Sequence, residues 1–220
     1  MVKIVSKIPR PLAARIAGLV LAAGIGGGVV IVREDMAKQD QIDAYVQAVA
    51  SDASTSQAVK VAMVLGSYYE SGGRHIGTPY VDKLGKGQPL TVCNGITGRG
   101  VIAGKTYTPA ECYRMERDRY VAYEKEVSAD MANWGQLMVL QKATVLDFIH
   151  NVGSAGFRGS TMRRKLLAGD IVGACLENRK WVYGTINGSK AVLPGLVIRR
   201  GANSDLCDGT ARIEGVTFDG

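Results

Sequence analysis

The chain has 220 residues, 46% of them hydrophobic and 21% charged. That is enough for one good-sized domain with an appendage or for two small domains, and it excludes intrinsic disorder. The formal net charge is +7, yet Lys3, Lys7, Arg10, Arg15 and Arg33 fall in the first 33 residues, which hold no acid; from Glu34 onward 22 basic residues face 20 acidic ones. The excess is therefore a topology signal and not a nucleic-acid face, no zinc-finger or basic-zipper spacing occurs, and no nucleic-acid partner is expected.

Ile16 to Val32 is a run of 17 residues without a charge, flanked by basic residues before it and by Glu34 and Asp35 after it. As a helix it spans roughly 25 Å, slightly short of a bilayer core. Eight of its positions are Gly or Ala, with Gly26-Gly27-Gly28 in a row, so it is a marginal span. A cleaved signal peptide would have only Ala22-Ala23-Gly24 as its small-x-small site, and a buried Gly-rich core helix is a further reading. A weakly hydrophobic, uncleaved signal anchor fits best. The upstream cations place its N-terminus in the cytoplasm and the body outside.

Further along, residues 40–53 carry a weak helical pattern and read as a connector. Ser54, Thr55 or Ser56 caps a clearer helix, in which Val61, Leu65 and Tyr68 recur at helical spacing up to Glu70, and Gly72-Gly73 ends it. Residues 71–107 hold nine glycines, Pro79, Pro89 and short β-branched runs, and predict a small sheet. Thr108-Pro109-Ala110-Glu111 is a capping box with proline at the first helical position; the helix it starts runs to about Asp130. An apolar helix follows over about Gln136 to His150 and stops at Asn151-Val152-Gly153. Shorter helices are expected near Ser160–Ala168, Asp170–Glu177 and Leu193–Leu206. The fold class this predicts is α+β and mostly helical, a small sheet beside a helical bundle, with an N-terminal apolar segment.

Cys93, Cys112, Cys175 and Cys207 all lie in the part predicted to be exported, and none shows metal-type spacing. Two disulfides are expected, and of the three pairings proximity favours Cys93–Cys112 with Cys175–Cys207. No metal site is expected, because the two histidines have no clustered partners. His75 reads as a solvated loop residue and His150 as a satisfied core residue. Phe157, Trp181 and Tyr183 read as core, although aromatic faces also stack on sugars.

Between Glu70 and Glu111 the only acid is Asp82. A carboxylate at a helix end, followed by a Gly-rich sheet with one second carboxylate, suits glycosidic hydrolysis: one group protonates the leaving oxygen while the other stays ionised. An apolar setting against Leu65 and Tyr68 would keep Glu70 protonated.

The segments Tyr69-Glu70-Ser71-Gly72-Gly73-Arg74, Tyr80-Val81-Asp82, Gly85 and Leu90 to Gly98 resemble the active-site stretch of the phage lysozymes of glycoside hydrolase family 24. The likeness continues through Gly104 to Cys112, Gln141 to Lys165, Gly169-Asp170, Trp181-Val182-Tyr183 and Leu193 to Arg200, covering about residues 56–207. The resemblance implies a lysozyme-like fold and an endolysin that cuts peptidoglycan between N-acetylmuramic acid and N-acetylglucosamine. The catalytic set it implies is Glu70 as acid, with Asp82 and Thr91 orienting water for inversion; Tyr80, Asn94 and Phe157 are candidate substrate contacts. No cofactor is implied, and a monomer is expected.

Residues 1–35 would form a signal-anchor-release segment, 36–55 a connector and 56–220 the catalytic domain. Residues 11–32 would hold the protein on the inner membrane, facing the periplasm, until release. No cysteine precedes Cys93, so activation is expected to follow departure of the anchor and not thiol exchange with it. Two departures from the family pattern stand out. The Glu70–Asp82 and Asp82–Thr91 spacings are each about three residues long, and Asn94-Gly95-Ile96-Thr97 stands where the family commonly reads Tyr-Gly-His-Thr. A lytic transglycosylase, a non-catalytic peptidoglycan-binding module and a holin-type membrane protein are the other function classes weighed.

Overall fold

A computed structural model describes residues 8–21, 36–82, 87–186 and 188–211; side chains of 10, 20, 21 and 36–39 are not described. Eight helices and two small sheets occupy these residues. Helix α1 (Arg10–Leu21) opens the described chain. Leu12, Ile16 and Leu19 line one face at helical spacing and are buried with Ala13 against α3 (Gln57–Ser71). The end of α1 is fastened there too, since Gln57 Nε2 donates to the carbonyl of Leu19. Thus the start of the expected anchor's apolar run, Ile16 to Leu19, packs on the body, and residues 22–35 lie outside the described residues. No helix among the described residues is long and apolar enough to cross a membrane.

The expected connector is a regular helix, α2 (Met36–Ser51), which buries Ile42 and Val49 against its neighbours. Helix α3 starts at Ser56, whose hydroxyl accepts from Val59 N at 3.1 Å, and ends in a left-handed Gly72. Residues 61–67 of α3 are buried throughout, because α1, α2, α4 (Pro109–Asp130) and α5 (Val139–Arg158) all pack around it. At Gly66 the α3–α4 contact is so close that a Cβ would lie 2.1 Å from Tyr120 Oη. Replacing Gly66 by Ala is therefore expected to cost about 1–3 kcal/mol of stability, despite alanine's better helix propensity. Urea denaturation measures this loss, and adding Tyr120→Phe, which removes the clashing oxygen, should restore much of it.

Helix α4 carries the expected capping box, with Thr108 Oγ1 accepting from Glu111 N and Glu111 Oε2 accepting from Thr108 N. Helix α5 reaches beyond the expected stop: its axis breaks at Gly153 (φ 78°, ψ 158°), and helical structure resumes to Arg158. Helices α6 (Thr161–Leu167), α7 (Ile171–Glu177) and α8 (Pro194–Asp208) match the three short segments expected.

Strands β1 (Tyr80–Val81), β2 (Leu90–Val92) and β3 (Ile96–Thr97) form the small antiparallel sheet in that order, with Tyr80 opposite Thr91 and Thr91 opposite Thr97. A second hairpin, β4 (Tyr183–Ile186) with β5 (Ser189–Val192), was not anticipated. Its one sequence signal is Asn187-Gly188, a dipeptide suited to a two-residue turn. The disulfides Cys93–Cys112 and Cys175–Cys207 each span a Cα separation of 5.4 Å. The first ties the β2–β3 turn to α4, and the second ties α7 to α8.

Candidate active site

Glu70 is the penultimate residue of α3 and is partly exposed, its side chain 25% accessible. It does not rest on an apolar face as expected, because its Oε1 accepts from Arg199 on α8. Arg199 is itself almost wholly buried. Its other nitrogens donate to Asp147 on α5 at 3.0 Å and 2.7 Å, and the Tyr69 ring lies 5.8 Å from its guanidinium carbon. Asn203 completes the cluster by donating to Asp147 Oδ2 at 2.5 Å. Burial pushes the Asp147 carboxyl up, but the charge and hydrogen bonds of Arg199, with Arg200 and Asn203, hold it below the usual carboxylate range.

The other oxygen of Glu70 lies toward the β2–β3 turn. Cys93 (φ 55°) and Gly95 (φ 78°) both have left-handed backbone there. A Cβ at Gly95 would stand 3.0 Å from His150 Nε2 and 3.5 Å from Glu70 Cδ, so glycine meets both a conformational and a spatial need. His150 is stacked on Tyr120 at 4.7 Å and donates through Nε2 to the carbonyl of Asn94 at 2.8 Å. Burial lowers its pKa against the opposing pull of Glu70. It is the satisfied core histidine expected, but it also abuts the candidate acid. His75 is less solvated than expected, being half-buried and hydrogen-bonded to the Tyr107 carbonyl at 2.9 Å.

Asp82 follows β1, its amide donating to the Pro89 carbonyl at 3.0 Å. The Tyr80 phenol is raised by partial burial and by the charges of both Glu70 and Asp82, which places it within the field of the two carboxylates. Thr91 is buried in the middle strand, with Oγ1 donating to the Pro89 carbonyl at 3.1 Å. Of the candidate substrate contacts, only Tyr80 is exposed. Phe157 is 2% exposed and packs edge-on against Phe148, so it belongs to the core and no glycan reaches it. Asn94 is buried as well: its amide groups face inward to Glu116, and its structural role replaces the expected substrate contact.

Three charged residues of this neighbourhood escaped sequence reasoning: Arg199, Asp147 and Glu116. Two carried a signal. Asp147 interrupts an otherwise apolar helical stripe, and Glu116 falls on the buried stripe of α4 with Cys112, Tyr120 and Val127.

The phage lysozyme family model matches residues 74–203, beginning four residues after Glu70. The chain is 36% identical over 129 residues to the SAR-endolysin of Bacteriophage PS119, covering 59% of this chain and 72% of that one. It is 33% identical over 129 residues to the SAR-endolysin of Enterobacteria phage P21, covering 59% and 73%. Among solved structures, the active form of P1 phage endolysin Lyz superposes with a TM-score of 0.58 at 19% identity, over 82% of this chain and 96% of that one. The muramidase domain of SpmX from Asticaccaulis excentricus gives 0.57 at 19% identity, over 66% and 92%. These two share the fold, and the family match extends over more than half of the sequence: this chain belongs to the phage lysozyme family.

Proposed function

We propose that Glu70 is the general acid of a muramidase that cleaves the β-1,4 bond between N-acetylmuramic acid and N-acetylglucosamine. Family membership makes the chain an endolysin of glycoside-hydrolase type that degrades peptidoglycan. The observation that carries the finer reading is the setting of Glu70. One oxygen is held by a buried arginine, the other faces the sheet turn, and Tyr80 lies within the field of both Glu70 and a second carboxylate, Asp82.

In this reading Glu70 gives its proton to the leaving glycosidic oxygen as the anomeric carbon gains oxocarbenium character. Arg199 fixes the carboxyl's orientation, so the proton is delivered from one direction. Asp82 and Thr91, on the opposite side, orient the attacking water, the Asp82 carboxylate takes its proton, and the anomeric configuration inverts. End-group analysis of digested peptidoglycan tests this. New reducing N-acetylmuramic acid ends, first formed as the inverted anomer by NMR, are expected, and Asp82→Asn should suppress them. Anhydro ends would make the protein a transglycosylase, and no new ends a binding module.

The location belongs to the same proposal. Residues 11–32 serve first as a signal anchor inserted by the host export machinery, which tethers the enzyme to the inner membrane on its periplasmic side. Two features support release from it. The run is marginal in length and rich in glycine, and the face formed by Leu12, Ile16 and Leu19 has a docking place on α3. Both disulfides lie within the body, which fits an activation that needs no thiol in the anchor.

A further inference from the structure

Glu116 lies on α4, one turn inside the Cys93–Cys112 disulfide, and is only 1% exposed. A buried carboxylate is costly unless its lone pairs are filled. Here four contacts fill them, and every one is a donor. Asn94 N and Nδ2 reach Oε1 at 3.1 Å and 3.0 Å, Asn94 Nδ2 also reaches Oε2 at 3.0 Å, and Tyr45 Oη on α2 reaches Oε2 at 2.5 Å. The arrangement suits the ionised carboxylate. A protonated one would have to point its own O–H at a group that also donates.

The other side of the same Asn94 residue meets the active site. Its carbonyl accepts from His150, and the next residue, Gly95, lies so near that a Cβ on it would meet both His150 and Glu70. The turn is held in a conformation that Cys93 disfavours, so it needs an external restraint. The disulfide supplies one, and the Glu116 contacts supply another at Asn94. Behind the turn a cavity of about 350 Å³, lined by Tyr45, Ala48, Ile76, Cys93, Asn94 and Glu116, leaves part of the turn without packed neighbours.

We propose that Glu116 is a positioning residue for glycan cleavage: its carboxylate pins the Cys93–Gly95 turn to α2 and α4 and thereby sets Glu70 and His150 in register. The inference rests on the muramidase reading of Glu70. Other titratable or charged groups face Glu116 from each neighbouring element. They are Tyr45 on α2, Glu70 at the end of α3, Tyr113 and Tyr120 on its own helix, His150 on α5 through Asn94, and Arg74 with His75 across the cavity. Burial raises the Glu116 carboxyl, the bonds from Tyr45 and Asn94 lower it, and Glu70 raises it further, leaving it near 7. The pinning therefore weakens as pH falls through neutrality.

The test is the pH profile of kcat on soluble, uncrosslinked glycan strands for the full chain, Glu116→Gln, Tyr45→Phe and Glu70→Gln, each checked for folding by its thermal transition. Glu116→Gln places an amide donor among donors. Its kcat should fall about 10- to 100-fold with KM little changed, and the acid limb near neutral pH should vanish. Tyr45→Phe removes a bond that favours ionisation, so its acid limb should move to higher pH by about one unit. A folded Glu116→Gln with wild-type kcat and an unmoved acid limb overturns the proposal while Glu70→Gln remains inactive. If Glu116→Gln does not fold, Tyr45→Phe decides, and an unmoved limb overturns it. Failure of the wild type to cleave, or activity in Glu70→Gln, overturns the muramidase reading and this inference together.

Discussion

Glu70→Gln is expected to cut the rate of glycan cleavage about 10²- to 10⁴-fold, the usual worth of a positioned proton donor. Glutamine keeps the size and the hydrogen-bond acceptor but has no proton to give. No neighbour replaces it. Asp147 is fully buried behind Arg199, Glu116 lies beyond Asn94, and His150 spends its Nε2 proton on a backbone carbonyl. Stability should change little, because Arg199 keeps both bonds to Asp147 in the variant. Rates on soluble glycan strands and a thermal melt of the same preparation check both halves. Activity within ten-fold of wild type, in a folded variant, would mean that the proton comes from elsewhere.

Arg199→Met should have the largest effect on stability, about 3–5 kcal/mol at neutral pH, because it strands the buried Asp147 carboxylate. The pH dependence identifies the cause. In the wild type the Asp147 pKa is held below its ordinary value, so the stability it contributes is present above the ordinary carboxylate range and is lost as pH falls through the lowered value. In the variant burial acts without its counter-charge, so the Asp147 pKa rises and stability falls as pH increases through it. The gap between the two proteins should therefore be widest near pH 7 and shrink below about pH 4. Urea midpoints at the two pH values measure it. An equal gap at both would point to lost packing around the arginine stem. Activity should fall as well, since Glu70 loses the partner that orients it.

Local signals made much of this fold legible. Ser56, Thr108-Pro109, Ser160 and Asp170 each announce a helix start through a hydroxyl or carboxylate that accepts a first-turn amide, and each helix begins there. The β4–β5 hairpin was missed because its strands are largely exposed and bury no alternating face. The site divides along the same line. Glu70, Asp82 and Thr91 stood out as polar residues in a Gly-rich stretch, but their partners come from far along the chain. Arg199 meets Glu70 across 129 positions and Asp147 across 52, and Tyr45 meets Glu116 across 71. Nothing in the periodicity of one helix reveals which other helix will face it. Phe157 shows the converse: an aromatic at the end of a helix looks available for a sugar, and only packing against Phe148 shows that it is not.

Helix α3 holds Glu70, the proposed acid, one residue from its end, on a shaft whose residues 61–67 are all buried. Backbone amides in such a shaft exchange with solvent only when much of the protein opens, whereas two-residue strands at a sheet edge open in small fluctuations. In the muramidase reading the proposed acid thus sits on backbone expected to exchange slowly, and Asp82 beside a short edge strand expected to exchange faster. On that reading the two carboxylates act as unequal jaws, one rigid and one compliant, and hydrogen exchange along α3 and β1 measures the difference.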